Sequence, residues 1–324
     1  MTATIRIAVL MLALIAGTAH AQSPGTYPNR SVRLVVGFTA GGPSDVIARI
    51  VAQKVSEAWG QQVYVENLPG AGSNTASAQV AKAAPDGYTV MVVSTGFIVN
   101  ASLYAKIPYD PVKDFAPVTL VAVSPNVLVV NPSVPAKTVL ELVDEIKKNP
   151  GKYSFAGPGI GSTPHLSGEL FKLKFDLDLV HIPFGGAGQA IQSTLAGHTQ
   201  VAFTALPPAM QQIQSGALRG LAVLADKRVA ELPDLPTMAE AGVPDQEADT
   251  LTGIVMPAGT PKEIIDKWQQ AVTAMAKSPD VAAKLASLGF IPVANTPDEF
   301  AKRIDVELKK WSKVIHDAKI PQIQ

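Results

Sequence analysis

The chain has 324 residues, 27 Lys and Arg against 27 Asp and Glu, no cysteine and 47% apolar side chains. Without cysteine there is no disulfide framework, cysteine nucleophile or lipidated N-terminal cysteine, and the lack of a basic run argues against nucleic-acid binding. Five histidines with no H-x-x-x-H or H-E-x-x-H spacing leave no predicted metal site, and no cofactor is expected.

Arg6 precedes an apolar run, Ile7–Ala16, and Ala19-His20-Ala21 has small residues at the two positions a signal peptidase reads. Residues 1–21 therefore read as an export signal cleaved before Gln22. The run is short for a bilayer span of about 20 residues. No later segment is apolar enough to span a membrane, so the product is expected to be soluble.

From there strand and helix alternate. Val32–Val36 reads as a strand, and Val46–Trp59 as a helix with a stripe of Ile47, Ile50, Val51 and Val55, stopped by Gly60. Gln62–Glu66 is a strand, Pro69–Asn74 a turn into a helix that runs to Ala83, and Thr89–Val93 a strand ending in Ser94-Thr95-Gly96. This βαβαβ order implies a parallel sheet with helices on both faces. After Phe115, two extended runs, Val118–Val123 and Asn126–Val130, are split by Ser124-Pro125 and carry the chain towards a second domain. Val139–Lys148 is a helix stopped by Asn149-Pro150-Gly151. A second βαβαβ set uses Tyr153–Ala156, Leu179–Ile182 and Gln200–Thr204, and Leu218–Leu224 is a further strand. The last third is helical at Pro261–Lys277, Pro279–Leu288 and Pro297–Ala318, with Trp268 and Trp311 on core-facing stripes. The expected division is residues 22–125 and 226–324 in a discontinuous first lobe and 126–225 in a second.

One unit recurs: an apolar strand, a glycine loop, then a helix. It occurs at Gly37–Asp45, at Gly157–Pro164 and at Pro183–Gln189. Glycines let backbone approach a ligand closely, and the first N–H groups of a helix lack internal partners and carry partial positive charge. Such termini bind anions without a basic side chain. In open parallel sheets ligands sit at the C-terminal strand edges, so two such lobes imply a shared cleft for a small anionic solute.

Ordered motifs along nearly the whole chain resemble the substrate-binding proteins of tripartite tricarboxylate transporters, the Bug or TctC-type family. Gly37–Asp45 resembles the family's P-F-x-x-G-G-x-x-D loop, and Val65–Gly72 its V-E-N-x-P-G-A-G segment. Lys82–Thr89 resembles K-A-x-P-D-G-Y-T, Tyr109–Phe115 resembles Y-D-P-x-K-D-F, and Gly161–Leu166 resembles G-S-x-x-H-L. Leu235-Pro236-Thr237 and Pro257–Pro261 also recur in that family. Two departures stand out: Gly37 replaces the usual proline, and Phe184-Gly185-Gly186 replaces a common Y-K-G.

The resemblance implies an α/β, two-lobed, type II-like periplasmic-binding-protein fold with the ligand cleft between lobes. It also implies a monomeric periplasmic receptor that captures a di- or tricarboxylate or related organic acid and delivers it to membrane permease subunits. Phe38, Ala40, Gly41 and Gly42 are expected to meet the ligand, chiefly by backbone. Gly161, Ser162 and Thr163 in the second loop, and Gly186 and Ala187 in the third, are further candidates. Asp45 reads equally as a dipole-offsetting acid and as a sign of a ligand with an ammonium or hydroxyl group, or of water-bridged binding. The hydroxyls of Ser94, Thr95 and Thr204 are candidates against local backbone bonding, as is His165 against a structural role.

Other classes fit less well. An exported hydrolase needs G-x-S-x-G, which is absent; Gly70–Thr75 lacks the last glycine of a dinucleotide fingerprint, and there is no Walker loop. A sensor that feeds a two-component kinase would use the same receptor.

Overall fold

The computed structural model describes residues 27–324, so the export signal lies outside the described residues. Among the described residues no helix is long and apolar enough to cross a membrane. The elements run β1 (Val32–Val36), α1 (Pro43–Trp59), β2 (Val63–Asn67), α2 (Asn74–Ala81), β3 (Thr89–Ser94), α3 (Thr95–Leu103) and β4 (Phe115–Val130). They continue with α4 (Val139–Lys148), β5 (Ser154–Pro158), α5 (Thr163–Phe175), β6 (Val180–Phe184), α6 (Ala187–Leu195), β7 (Val201–Ala205), α7 (Leu206–Gln214) and β8 (Arg219–Val223). The chain closes with β9 (Asp249–Pro257), α8 (Lys262–Lys277), α9 (Pro279–Ser287), β10 (Ile291–Pro292) and α10 (Pro297–Asp317).

β1 is apolar throughout except Arg33, and Val32, Leu34, Val35 and Val36 are fully buried, as a strand covered on both faces requires. It pairs in parallel with β2 and β3. In the second lobe β5 pairs in parallel with β6 and β7. Each sheet is mixed, because β9 runs antiparallel to β3, and β4 antiparallel to β9, β7 and β8.

The two extended runs expected around Ser124-Pro125 form one 16-residue strand, β4. Its first part, Phe115–Pro125, pairs with β9, and its second, Asn126–Val130, with β7 and β8. The hydrogen-bonded path is therefore unbroken from β2 to β6. Pro125 falls where the strand changes partners, so its missing N–H removes nothing from the interior of either ladder.

β9 was not expected, and it brings the chain back to the first lobe at Asp249, opposite Pro125. Residues 226–248 do not belong with the first lobe as the division at 225 had them. Val229 and Leu235 pack beside β7 and β8 residues, and Met238, Val243 and Ala248 join the second lobe's other face. We accordingly set the lobe boundary at the two crossings, Pro125/Asn126 and Ala248/Asp249. α10 spans both lobes: Phe300 and Ile304 lie in the first lobe's core, Trp311, Val314 and Ile315 in the second's. Arg303 on this helix meets Asp249 at 2.6 Å and Glu307 at 2.7 Å, pinning the return crossing. Trp268 and Trp311 are buried, as their stripes imply.

The strand directions position the cleft. Within the first lobe β4 runs parallel to β1–β3, because two antiparallel steps separate it from β3, so it leaves past their C-terminal ends. It enters the second lobe with Asn126 opposite Ala205, the last residue of β7. The C-terminal ends of β5, β6 and β7 therefore face the same crossing from the other side, and the molecule is a two-lobed α/β fold with its cleft there.

Candidate functional site

Every glycine loop singled out in the sequence lies at one of these C-terminal ends, and all three share one tie. The N–H of the glycine before the helix N-cap donates to the side chain at the third helical position. Gly41 N–H donates to Asp45 Oδ2 at 2.8 Å, Gly161 N–H to His165 Nδ1 at 3.1 Å, and Gly185 N–H to Gln189 Oε1 at 2.9 Å. This resembles half of a capping box moved one residue outward: the side chain folds back on the loop rather than on the N-cap. Gly41 at φ +87° and Gly161 at φ +80° adopt the left-handed conformation that makes the turn.

The ties leave helix N–H groups open. Gly42, Ser94 and Gly186, the N-caps of α1, α3 and α6, make no side-chain cap, whereas Thr138 and Thr296 cap α4 and α10. α8 and α9 also lack side-chain caps, so a bare terminus alone is no signature. The distinguishing feature of α1, α3 and α6 is that all open on the crossing, where their dipoles favour an anion. α5 is different: Ser162 caps it, accepting from His165 N–H at 3.4 Å. α7 opens with Pro207 and Pro208, which have no N–H.

α3, a helix for which the sequence shows no element after Ser94-Thr95-Gly96, is where the pieces meet. It is short and apolar on nearly all sides, so it shows no helical stripe; Phe97, Ile98, Val99 and Leu103 are all buried. A Cβ on Gly72, in the loop after β2, would lie 3.1 Å from Tyr104 Oη and 3.3 Å from Asn100 Nδ2, and Asn100 donates to Gly72 O at 2.8 Å. A Cβ on Gly161 would lie 2.1 Å from Leu103 Cδ2. Thus the second lobe's loop is seated on the first lobe's α3. Gly37 packs against Ser73, leaving no room for a side chain at 37.

The candidate residues take distinct positions. Ala40 and Gly41 are exposed, and Gly42, Gly186 and Ala187 are half-exposed with open space beside both glycines. Phe38 packs on the first lobe's core while its carbonyl accepts Asn67 Nδ2 at 3.0 Å. Thr95 Oγ1 accepts Leu251 N–H at 3.0 Å, so its hydroxyl ties α3 to the distant strand β9. Ser94 is half-exposed, and a Cβ on Gly96 would lie 3.5 Å from its hydroxyl. Thr163 is buried in the first turn of α5. Thr204 is fully buried at the end of β7, and its hydroxyl has no partner among the described residues; Ser73 Oγ is in the same condition.

Asp45 is resolved by its contacts. It is 2% exposed and also accepts from Arg49 Nε at 2.9 Å and Asn67 Nδ2 at 3.0 Å. Burial opposes its ionisation, but bonds from Arg49, Gly41 N–H and Asn67 outweigh it and hold the carboxyl at about 2. These contacts make it an ionised organiser of the first loop. His165 is packed among aromatic rings: its ring lies 4.2 Å from that of His181, which stacks on Phe155 at 4.8 Å. Burial pushes His165 down to about 3, aided by the neighbouring His181 and Lys172, and pushes His181 down to about 4. Both rings are neutral at pH 7, which keeps His165 Nδ1 an acceptor.

Arg49, Asn67, His181 and Gln189 were missed in the sequence. The signal for one of them was present: Gly41–Asp45, Gly161–His165 and Gly185–Gln189 share a glycine followed four residues later by an acceptor side chain. Among the described residues no group of three or more His, Asp or Glu could hold a metal.

Comparison with known proteins gives the same architecture. The model of the tripartite tricarboxylate transporter family receptor matches residues 47–320. BugT of Bordetella pertussis is 35% identical over 304 residues, covering 93% of each chain. A solved periplasmic transporter is 39% identical with a TM-score of 0.78, covering 90% of this chain and 97% of its own. Rpa4515 of R. palustris, solved with adipate, is 34% identical with a TM-score of 0.80, covering 92% of this chain and 100% of its own. This chain belongs to the tripartite tricarboxylate transporter family of receptors, binding proteins rather than enzymes.

Proposed function

We propose that the chain is a periplasmic receptor that closes its two lobes on a small carboxylate, a di- or tricarboxylate or related organic acid, and delivers it to permease subunits in the membrane. The observation that supports this reading is that uncapped helix N-termini in both lobes, α1 and α3 in the first and α6 in the second, follow strands whose C-terminal ends face the crossing. Their N–H groups are the complement of a carboxylate. Phe38, Ala40, Gly41, Gly42, Ser94, Gly186 and Ala187 are proposed to line the seat. Thr204, buried without a partner among the described residues, supplies a hydroxyl at the edge of the second lobe. The adipate in the Rpa4515 structure supports the ligand class.

A thermal-denaturation panel of organic acids on the mature protein tests the reading. An acid at 100 times its dissociation constant adds about 2.7 kcal/mol, a readily visible shift. Stabilisation by at least one carboxylate, lost in Gly42→Val, is expected. Indifference to every carboxylate in the panel refutes it.

A further inference from the structure

The C-terminal half of α3 carries loops from both lobes. Asn100 Nδ2 donates to Gly72 O and to Asn74 Oδ1, both at 2.8 Å, and Tyr109 Oη donates to Asn74 Oδ1 at 3.0 Å. These bonds fix a first-lobe loop in which Ala71 and Ser73 hold left-handed backbone, at φ +46° and +80°. One turn on, Leu103 fills the space beside Gly161, and Val99 and Leu103 join the second lobe's core.

A helix end leaves its last carbonyls without intrahelical donors. α3 has no glycine cap, and Tyr104 after it is extended. The donor comes instead from beyond α10. The chain reverses at Lys319, φ +51°. Ile323 N–H then donates to Leu103 O at 2.9 Å, and Ala105 N–H donates to Ile323 O at 2.9 Å. Gln322 Nε2 donates to Ser102 O at 3.4 Å. Ile320 and Ile323 pack half-buried, beside Tyr104, on the second lobe's core. α10, from which the segment springs, is itself held to the return crossing by Arg303. Backbone bonds at one residue and two half-buried side chains are a light attachment, able to open without unfolding either lobe.

We propose that residues 320–323 are a strap that sets lobe closure: by holding the last turn of α3, they seat the second lobe's Gly161 loop against the first lobe. The inference rests on the two-lobed receptor reading and on no particular acid. The strap lies at the opposite end of α3 from the terminus that opens on the crossing, roughly 13 Å along the helix axis. It therefore acts on the proposed seat only through α3. Releasing it shifts the receptor towards an open form, and a ligand that needs the closed form binds more weakly in proportion.

The chain has no cysteine, so spin labels at Glu57→Cys on α1 and Gln192→Cys on α6 report lobe separation without background. Electron-resonance distances are compared in the labelled parent, in Ile323→Pro, which loses the N–H that reaches Leu103 O, and in Ile323→Val, which keeps it. Without ligand, Ile323→Pro is expected to gain a population of longer distances, and Ile323→Val to match the parent. Adipate is the probe ligand. Its dissociation constant should rise by about threefold or more in Ile323→Pro, and saturation should restore the short distance. Ile320→Ala, a milder release, takes the place of Ile323→Pro if circular dichroism shows the latter unfolded. Ligand-free distances in the released variant that match the parent's overturn the strap. If no carboxylate binds the parent, the carboxylate reading fails separately, and the ligand-free distances alone decide the strap.

Discussion

The first and second glycine loops are the same device in opposite electrostatic settings. Around Gly41 the tie is an ionised carboxylate, reinforced by Arg49 and Asn67. Around Gly161 it is a neutral imidazole held in a stack with His181 and Phe155. The first loop stands in open space, since a Cβ on Gly42 would meet only Thr39 O, at 3.7 Å; the second is wedged against Leu103 of the other lobe. A common backbone requirement, one glycine N–H satisfied ahead of a helix, is met either by a buried carboxylate under an open loop or by a buried neutral imidazole under a wedged one. The two loops should therefore fail under different conditions.

Acid separates them most strongly. In the folded protein His165 and His181 protonate near 3 and 4, whereas an unfolded chain protonates histidine near 6.5. The unfolded state takes up protons first, so stability is full above about pH 6.5 and falls as pH drops towards 4. The loss is at most about 1.4 kcal/mol per pH unit for each histidine. Asp45, held at about 2, contributes stability that is present above about pH 4 and is lost only below it. Urea unfolding at pH 7, 5.5 and 4.5 should show the histidine window, and the double variant His165→Asn/His181→Phe should flatten it. An unchanged slope in that variant would place the titration elsewhere.

Steric insertion should separate them next. Gly161→Val forces a β-branched residue to φ +80° and pushes it into Leu103, at an expected cost of about 2–4 kcal/mol and a lower melting temperature. Gly42 lies at φ −78° with space beside it, so Gly42→Val should leave the melting temperature nearly unchanged while removing carboxylate binding. Equal melting losses in the two variants would contradict the contrast between an open and a wedged loop.

Charge removal should be smaller and confined to the first loop. Asp45→Asn sacrifices a charge-assisted bond from Arg49 and sets an amide donor against Asn67; about 1.5–3 kcal/mol of stability should go with it. Chemical denaturation reads this directly, and a loss below about 0.5 kcal/mol would mean that the carboxylate's charge is immaterial to the loop. The third loop gives the smallest effect. Gln189 is exposed, so Gln189→Ala should cost about 0.5–1 kcal/mol, detected more readily as faster amide exchange at Gly185 than as a change in melting.

Local chemistry alone determined a great deal of this protein. Apolar β-branched runs, helical stripes and glycine or proline stops located β1, α1, α4, α8 and α10 within a few residues. Glycine loops ahead of helices located the strand edge proposed to face the ligand, because backbone conformation and terminal N–H groups depend on nearest neighbours. Tertiary structure decided the rest. β4 is one strand across Pro125 because its partners change there. β9 exists because β3 and β4 hold it on both edges within the first lobe's sheet, and α3 because its apolar sides are buried, so packing outweighs weak periodicity. Residues 226–248 stay with the second lobe because that is where their apolar side chains find a core. Whether Asp45 faces a ligand or its own loop could not be read from its position at a helix start, since both readings put an acid there. Three donors, from Gly41, Arg49 and Asn67, the last on a different strand, tie the carboxylate to its own loop, and contacts between distant segments are made only when the chain is folded.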